Sequence, residues 1–206
     1  MSRFDKTKKI LVLDIDQTLI QSEYIKGKSQ EKVEQQFKKE LERFENFKVC
    51  NNEYLTFVRP YIRDFIKFCF EHFNVVIWSS ATLDYLQEIL EYLVYPIDYP
   101  LQVFSRIDCY RDNLHYVKHL ELIKNIYDVT ADDIIVVDDQ VSPYPSKFEN
   151  VLQIPAFFIY SSDTEKQKTI LSIMQDKLLE IKDLPVTEVE KEQWSKTAFR
   201  SKKNVT

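Results

Sequence analysis

Lys9-Ile10-Leu11-Val12-Leu13-Asp14-Ile15-Asp16-Gln17-Thr18 is the stretch on which the fold turns. The four apolar residues Ile10 to Leu13 run without alternation, so they read as a strand covered on both faces. That strand type belongs to a parallel sheet sandwiched by helices, and residues 74–79, 102–105, 134–138 and 151–154 share it. Between these runs, residues 61–72, 83–93 and 120–127 carry helical spacing; Ile62, Phe65, Ile66, Cys69 and Phe70 make one apolar face on the first. Strands alternating with helices predict an α/β domain with a doubly wound parallel sheet.

Composition sets the limits around that core. A chain of 206 residues suits one compact domain, and 44% apolar with 14% aromatic residues is too much for a disordered one. Gly27 is the only glycine, which excludes a GxGxxG fingerprint and a P-loop, since both need several glycines for close backbone approach to phosphate. The net charge of −5 argues against direct nucleic-acid binding, which relies on clustered Lys and Arg. Cys50, Cys69 and Cys109 form no CxxC pair, so a reducing compartment is expected. The short apolar run after a charged start is no signal peptide, and nothing approaches a membrane span. The expectation is a soluble protein of the nucleus or cytoplasm, with no membrane partner. The oligomeric state is left open.

Two segments stand outside the rhythm. An insertion over residues 22–57 contains, at 29–47, Val33, Phe37, Leu41 and Phe44 at helical spacing among many charges. A charged amphipathic helix lying on the core is expected there, with a docking or dimerisation surface as the alternative. A final helix after Thr164 closes a domain of residues 1–184, followed by a polar tail, 185–206, with a few basic residues.

The chemistry-bearing residues fall at strand ends, where open α/β sheets bind their ligands. Asp14 and Asp16 lie where the first strand stops, close enough to repel, and a divalent cation would relieve that repulsion. Helix capping by the same two acids, with Thr18 assisting, is the plainer alternative. The second strand delivers Ser79 and Ser80, hydroxyls able to donate to a phosphoryl oxygen or to cap the next helix. The fourth ends in Asp138-Asp139, which could complete an oxygen-only Mg²⁺ site. Lys118 lies upstream of that strand and could supply a fixed positive charge, although most lysines are solvated.

Acid pair, hydroxyl, lysine and acid pair in this order resemble the haloacid dehalogenase (HAD) superfamily. Leu13-Asp14-Ile15-Asp16-Gln17-Thr18-Leu19, Val58-Arg59-Pro60-Tyr61, Val76-Ile77-Trp78-Ser79-Ser80-Ala81, and Tyr116-Val117-Lys118 with Ile135-Val136-Val137-Asp138-Asp139 narrow the resemblance. They are similar to the FCP/small-CTD-phosphatase branch, also called NLI-interacting-factor-like phosphatases, which dephosphorylate serines of the RNA polymerase II C-terminal repeat and of other proteins. The resemblance implies a HAD-like, three-layer Rossmannoid with a central five-stranded parallel sheet in the spatial order fifth, fourth, first, second, third. A small insertion would replace a large cap.

The resemblance also implies roles. Asp14 would be the nucleophile forming an aspartyl-phosphate, and Asp16 the general acid and base. Mg²⁺ would be held by Asp14, the backbone carbonyl of Asp16, and Asp138, with Asp139 contacting the metal or its water. Ser79 and Lys118 would bind phosphoryl oxygens. Thr18, Arg106 and Tyr24 are the candidates for substrate contact, Tyr24 for a substrate proline; a structural salt bridge for Arg106 and a buried loop position for Tyr24 are the alternatives. The implied activity is a Mg²⁺-dependent protein serine/threonine phosphatase acting on an extended phosphopeptide. A noncatalytic protein-binding domain of the same fold and a small-molecule phosphatase are the competing readings.

Overall fold

The computed structural model describes residues 4–112, 115–144, 150–160 and 163–184, so the polar tail lies outside the described residues. The chain opens with β1 (Ile10–Leu13) and β2 (Ile20–Tyr24), followed by α1 (Gln30–Gln36), α2 (Lys38–Arg43), β3 (Asn46–Val49) and β4 (Tyr54–Val58). It continues through α3 (Ile62–His72), β5 (Asn74–Trp78), α4 (Leu83–Leu93), β6 (Gln102–Phe104), β7 (Tyr110–Asp112) and β8 (His115–Val117). The last elements are α5 (Glu121–Tyr127), β9 (Ile134–Asp138), β10 (Val151–Gln153) and α6 (Thr164–Ile181).

Five strands form one parallel sheet in the order β10-β9-β1-β5-β6, the order expected. Successive residues of a strand face opposite ways, and both faces are covered. Leu11, Leu13, Val75, Ile77, Ile135 and Val137 pack under α3, α4 and α6. Ile10, Val12, Val76, Ile134 and Val136 pack on the other side with Leu120 and Ile123 at α5. That double burial explains why the strands read as unbroken apolar runs. β1 pairs with both β5 and β9 in register, Leu13 lying between Ile77 and Val137, so the residues that follow all three strands emerge side by side at one edge.

The insertion departs from the expected single helix. Residues 29–47 hold two short helices broken at Phe37, whose backbone (φ −111, ψ 19) ends α1 before α2 begins, and Phe47 belongs to β3. β2, β4 and β3 form a three-stranded antiparallel sheet. The amphipathic stripe is real and already covered: Val33, Phe37 and Phe44 are buried, with Leu41 partly buried, against Leu55, Phe57, Phe157 and Ile159. Phe37 meets Phe57 at 5.8 Å, and Phe44 meets Phe157 edge-on at 5.5 Å. A small hairpin, β7 with β8, leads back to Lys118.

Candidate active site

The bend after β1 aims the first acid pair. The Asp14 amide donates to the Val137 carbonyl at 3.0 Å, extending the β1–β9 pairing by one residue. Ile15 then plugs into the core with no exposure, and its carbonyl accepts from the amides of Thr18, Leu19 and Ile20 while Gln17 takes a left-handed φ of 61°. The chain turns straight into β2, so no helix follows for Asp14 or Asp16 to cap. Thr18 is fully buried, and its hydroxyl accepts from the Asp139 amide at 3.0 Å, tying the bend to the end of β9. It therefore does not face the cleft, where a substrate contact would have to be.

Lys118 is the hinge of the site. Its ammonium donates to Asp14 Oδ1 and to Asp138 Oδ2, each at 2.7 Å, with all three side chains nearly excluded from solvent. The Tyr144 hydroxyl adds a 2.8 Å hydrogen bond to the same Asp138 oxygen, the Tyr144 ring lies 5.4 Å from the ammonium, and the Gln140 amide takes Asp138 Oδ1 at 2.8 Å. Burial alone would lower the Lys118 pKa, but the two carboxylates outweigh it and hold it above the ordinary lysine value.

One ammonium does not neutralise the acids gathered here. Asp14 is pushed well above the usual carboxylate range by burial, with Lys118 opposing and the Asp138 and Asp16 charges adding. Asp139 is raised to about 6 by burial and by Asp138. Carboxylate oxygens of Asp14, Asp138 and Asp139 lie within 4.8 Å of one another, without a histidine or cysteine among them. This hard, oxygen-only, excess-negative donor set fits Mg²⁺. The Asp16 carboxylate is not in the group, leaving its backbone carbonyl as the only way it could join.

Asp16 is held separately. Its Oδ1 accepts from the Tyr85 hydroxyl at 2.8 Å and its Oδ2 from Ser79 at 3.3 Å. Burial raises its pKa while those two hydrogen bonds work against the rise. Ser79 is fully buried and accepts from the Ala81 amide at 3.0 Å; of the two readings left open for Ser80, helix capping does not hold, because Thr82 is the N-cap of α4. Arg106 stands across the opening: its Nε donates to the Ser80 carbonyl at 2.8 Å and its guanidinium lies 5.2 Å from the Tyr116 ring. Asp16, Ser22, Tyr54, Ser80, Tyr85 and Arg106 line a single open cleft. Tyr24 is 55% exposed at the end of β2, not buried in a loop; it touches Tyr54 at 5.2 Å, and Tyr54 touches Tyr85 at 5.5 Å.

Tyr85 and Tyr144 escape a reading of sequence alone. Tyr85 shares the apolar face of α4 with Leu86, Ile89 and Leu93, where an aromatic looks like core. Tyr144 sits in an irregular loop with no periodicity to flag it. Arg59 is the reverse case, conspicuous in sequence yet remote from solvent. It is fully buried, its Nη2 donates to the Pro155 carbonyl, its guanidinium lies 5.7 Å from the Phe157 ring, and its Nε and Nη1 have no hydrogen-bond partner among the described residues. Burial lowers its pKa to about 9, with Asp139 pulling the other way.

Residues 9–185 match the family described as NLI interacting factor-like phosphatase. A putative CTD phosphatase-like protein, 355R, of Invertebrate iridescent virus 6 is 24% identical over 176 residues, covering 80% of this chain and 94% of the viral protein. Nuclear envelope morphology protein 1 of Saccharomyces cerevisiae is 24% identical over 172 residues, 77% of this chain but 36% of the yeast protein. Among solved structures, fission yeast Fcp1-R271A, an RNA polymerase II CTD phosphatase bound to beryllium fluoride, superposes with a TM-score of 0.57 at 15% identity. It covers 91% of this chain, which spans about half (54%) of that longer one, and the likeness shows a shared fold.

Proposed function

Because the chain belongs to the NLI interacting factor-like phosphatase family, and relatives of it are named CTD phosphatase-like, we propose that it hydrolyses phosphoserine or phosphothreonine in an extended protein segment, with Mg²⁺, through an aspartyl-phosphate on Asp14. The observation that carries this reading is the buried Lys118 ammonium shared between Asp14 and Asp138 at 2.7 Å each, with Asp16 held apart on hydroxyls. A purely structural ion pair has no use for the surplus acids beside it.

The division of labour follows from which atoms are already engaged. Lys118 occupies Asp14 Oδ1, leaving Oδ2 to attack phosphorus in line as the bond to the seryl oxygen breaks. Asp16, with a raised pKa, gives its proton to that departing oxygen, then takes one from the water that attacks the aspartyl-phosphate and frees Asp14. Lys118 and Ser79 bind phosphoryl oxygens, Ser79 being only loosely engaged by Asp16 at 3.3 Å. Asp14, Asp138 and Asp139, with the Asp16 backbone carbonyl, would hold Mg²⁺, which when bound neutralises charge on the transferring phosphoryl group. Thr18 fixes Asp139 from beneath, while Arg106 and the Tyr24–Tyr54–Tyr85 rings offer charge and flat apolar surface along the cleft.

The open cleft favours a protein segment over a metabolite, which usually needs a lid to exclude water. The names of the viral and fission yeast relatives support a peptide resembling the RNA polymerase II C-terminal repeat as the substrate. The test is hydrolysis of an aryl phosphate with and without Mg²⁺, beside Asp14→Asn. Activity that needs Mg²⁺ and disappears in Asp14→Asn is expected. An inactive wild type would favour the noncatalytic binding domain, and an undiminished Asp14→Asn would refute the nucleophile.

A further inference from the structure

The insertion sheet reaches the proton-transfer group through side chains. Ser22, on β2, and Thr56, paired with it across β4, place their hydroxyl oxygens 2.7 Å apart. The Ser22 oxygen lies 2.6 Å from the Tyr85 hydroxyl, which lies 2.8 Å from Asp16 Oδ1. Tyr85 has one hydrogen, and Asp16 Oδ1 accepts it both when the carboxyl is ionised and when the acid carries its proton on Oδ2. Ser22 must then donate to Tyr85, and by the same count Thr56 donates to Ser22. The four groups form one directed chain, Thr56 to Ser22 to Tyr85 to Asp16, in which each hydroxyl polarises the next. Thr56 is fully buried, and Ser22 and Tyr85 border the cleft beside Asp16.

We infer that Tyr85, backed by Ser22 and Thr56, is a positioning residue for the general acid, and that this is how the insertion takes part in catalysis. The inference rests on the phosphatase reading above. By engaging Oδ1, the Tyr85 hydroxyl fixes the rotation of the Asp16 carboxyl and keeps the proton to be transferred on Oδ2, the oxygen shared with Ser79 on the phosphoryl side. In the first step the Asp14–phosphorus bond forms, the phosphorus–oxygen bond of the ester breaks, and the Oδ2 proton moves to the departing oxygen. An alkoxide such as that of serine needs this proton; a stable aryloxide leaves almost without it. Removing the Tyr85 hydroxyl should therefore damage catalysis in proportion to the basicity of the leaving group, a dependence no loss of packing reproduces.

The full chain, in Mg²⁺, is assayed for kcat/KM on p-nitrophenyl phosphate and on a phosphoserine peptide, because kcat/KM reports steps through the first transition state. Tyr85→Phe should lower the peptide value about tenfold more than the aryl value, a fraction of the 10²–10⁴ that general acid catalysis supplies. Ser22→Ala should shift the same ratio the same way by a smaller factor, and it keeps the test open if Tyr85→Phe folds poorly. Equal losses on both substrates, or no loss on the peptide, would overturn the positioning role while leaving the phosphatase standing. Failure of the unchanged protein on both substrates would overturn the phosphatase reading, and the relay with it.

Discussion

Lys118 compensates buried acids more than it decorates them. Lys118→Met keeps the stem and removes the charge, leaving the Asp14 and Asp138 carboxylates facing each other out of water. Breaking a buried pair from one side costs about 3–5 kcal/mol, and urea denaturation at neutral pH should show a loss of that order. The sign of its pH dependence follows from Asp14, whose folded-state pKa already lies above the unfolded value of 3.8 and rises further without the ammonium. A carboxyl raised in this way costs stability above its folded pKa, and the cost fades as pH falls toward the unfolded value. The deficit of Lys118→Met should shrink on moving from about pH 8 to about pH 5; a constant deficit would mean the carboxylates do not feel the loss. Asp14 and Asp138 were legible as candidates because acids after an apolar run are costly unless used, whereas Lys118, a residue type that is mostly solvated, stood out only through the order of motifs it belongs to. Tyr85 and Tyr144 were not, because their roles depend on which hydroxyl meets which carboxylate across 69 and 6 residues of chain, a matter of packing that periodicity does not carry.

The parallel sheet was readable because burial on both faces forces continuous apolar runs, whereas the insertion sheet hides its strands. β2 reads Ile-Gln-Ser-Glu-Tyr, half polar, and is held by its partner β4 more than by its own composition. The β3–β4 connection is made by Cys50, Asn51 and Asn52, all left-handed (φ 54, 53 and 64°), a turn that the asparagines hint at in sequence. The minor core under these strands is held by Phe37, Phe57 and Phe157. Phe57→Ala should cost about 3–5 kcal/mol in chemical denaturation and, since β4 also carries Thr56, weaken peptide turnover; full retention of both would show that the insertion is independent of the domain. Gly27, the one glycine, sits at φ 79° with nothing within 4 Å of where a Cβ would lie. Gly27→Ala should therefore cost only the left-handed backbone penalty, about 1–2 kcal/mol, and a much larger loss would reveal a hidden contact.

Across the whole molecule, the ends of β1 and β9 and the chain entering α5 bring four aspartates and one lysine to a single edge, where the acids outnumber the one ammonium. Asp14 and Asp139 both sit above the unfolded value of 3.8, Asp139 at about 6, so each takes stability away as pH rises from 3.8 to its folded value and exacts the full cost above it. A bound divalent cation replaces those protons. The rise in Tm produced by Mg²⁺ should accordingly be larger at about pH 8 than at about pH 5, and a pH-independent shift would place the ion elsewhere. No helix among the described residues is long and apolar enough to cross a membrane. The most direct measurement is to trap the covalent intermediate. Asp16→Asn, which slows attack by water, is mixed with an aryl phosphate and Mg²⁺, quenched with borohydride and mapped by mass spectrometry, since borohydride reduces an acyl phosphate to the alcohol. Conversion of residue 14 to homoserine, only when substrate is present, is the expected result; substrate turnover without any modification of residue 14 would contradict it.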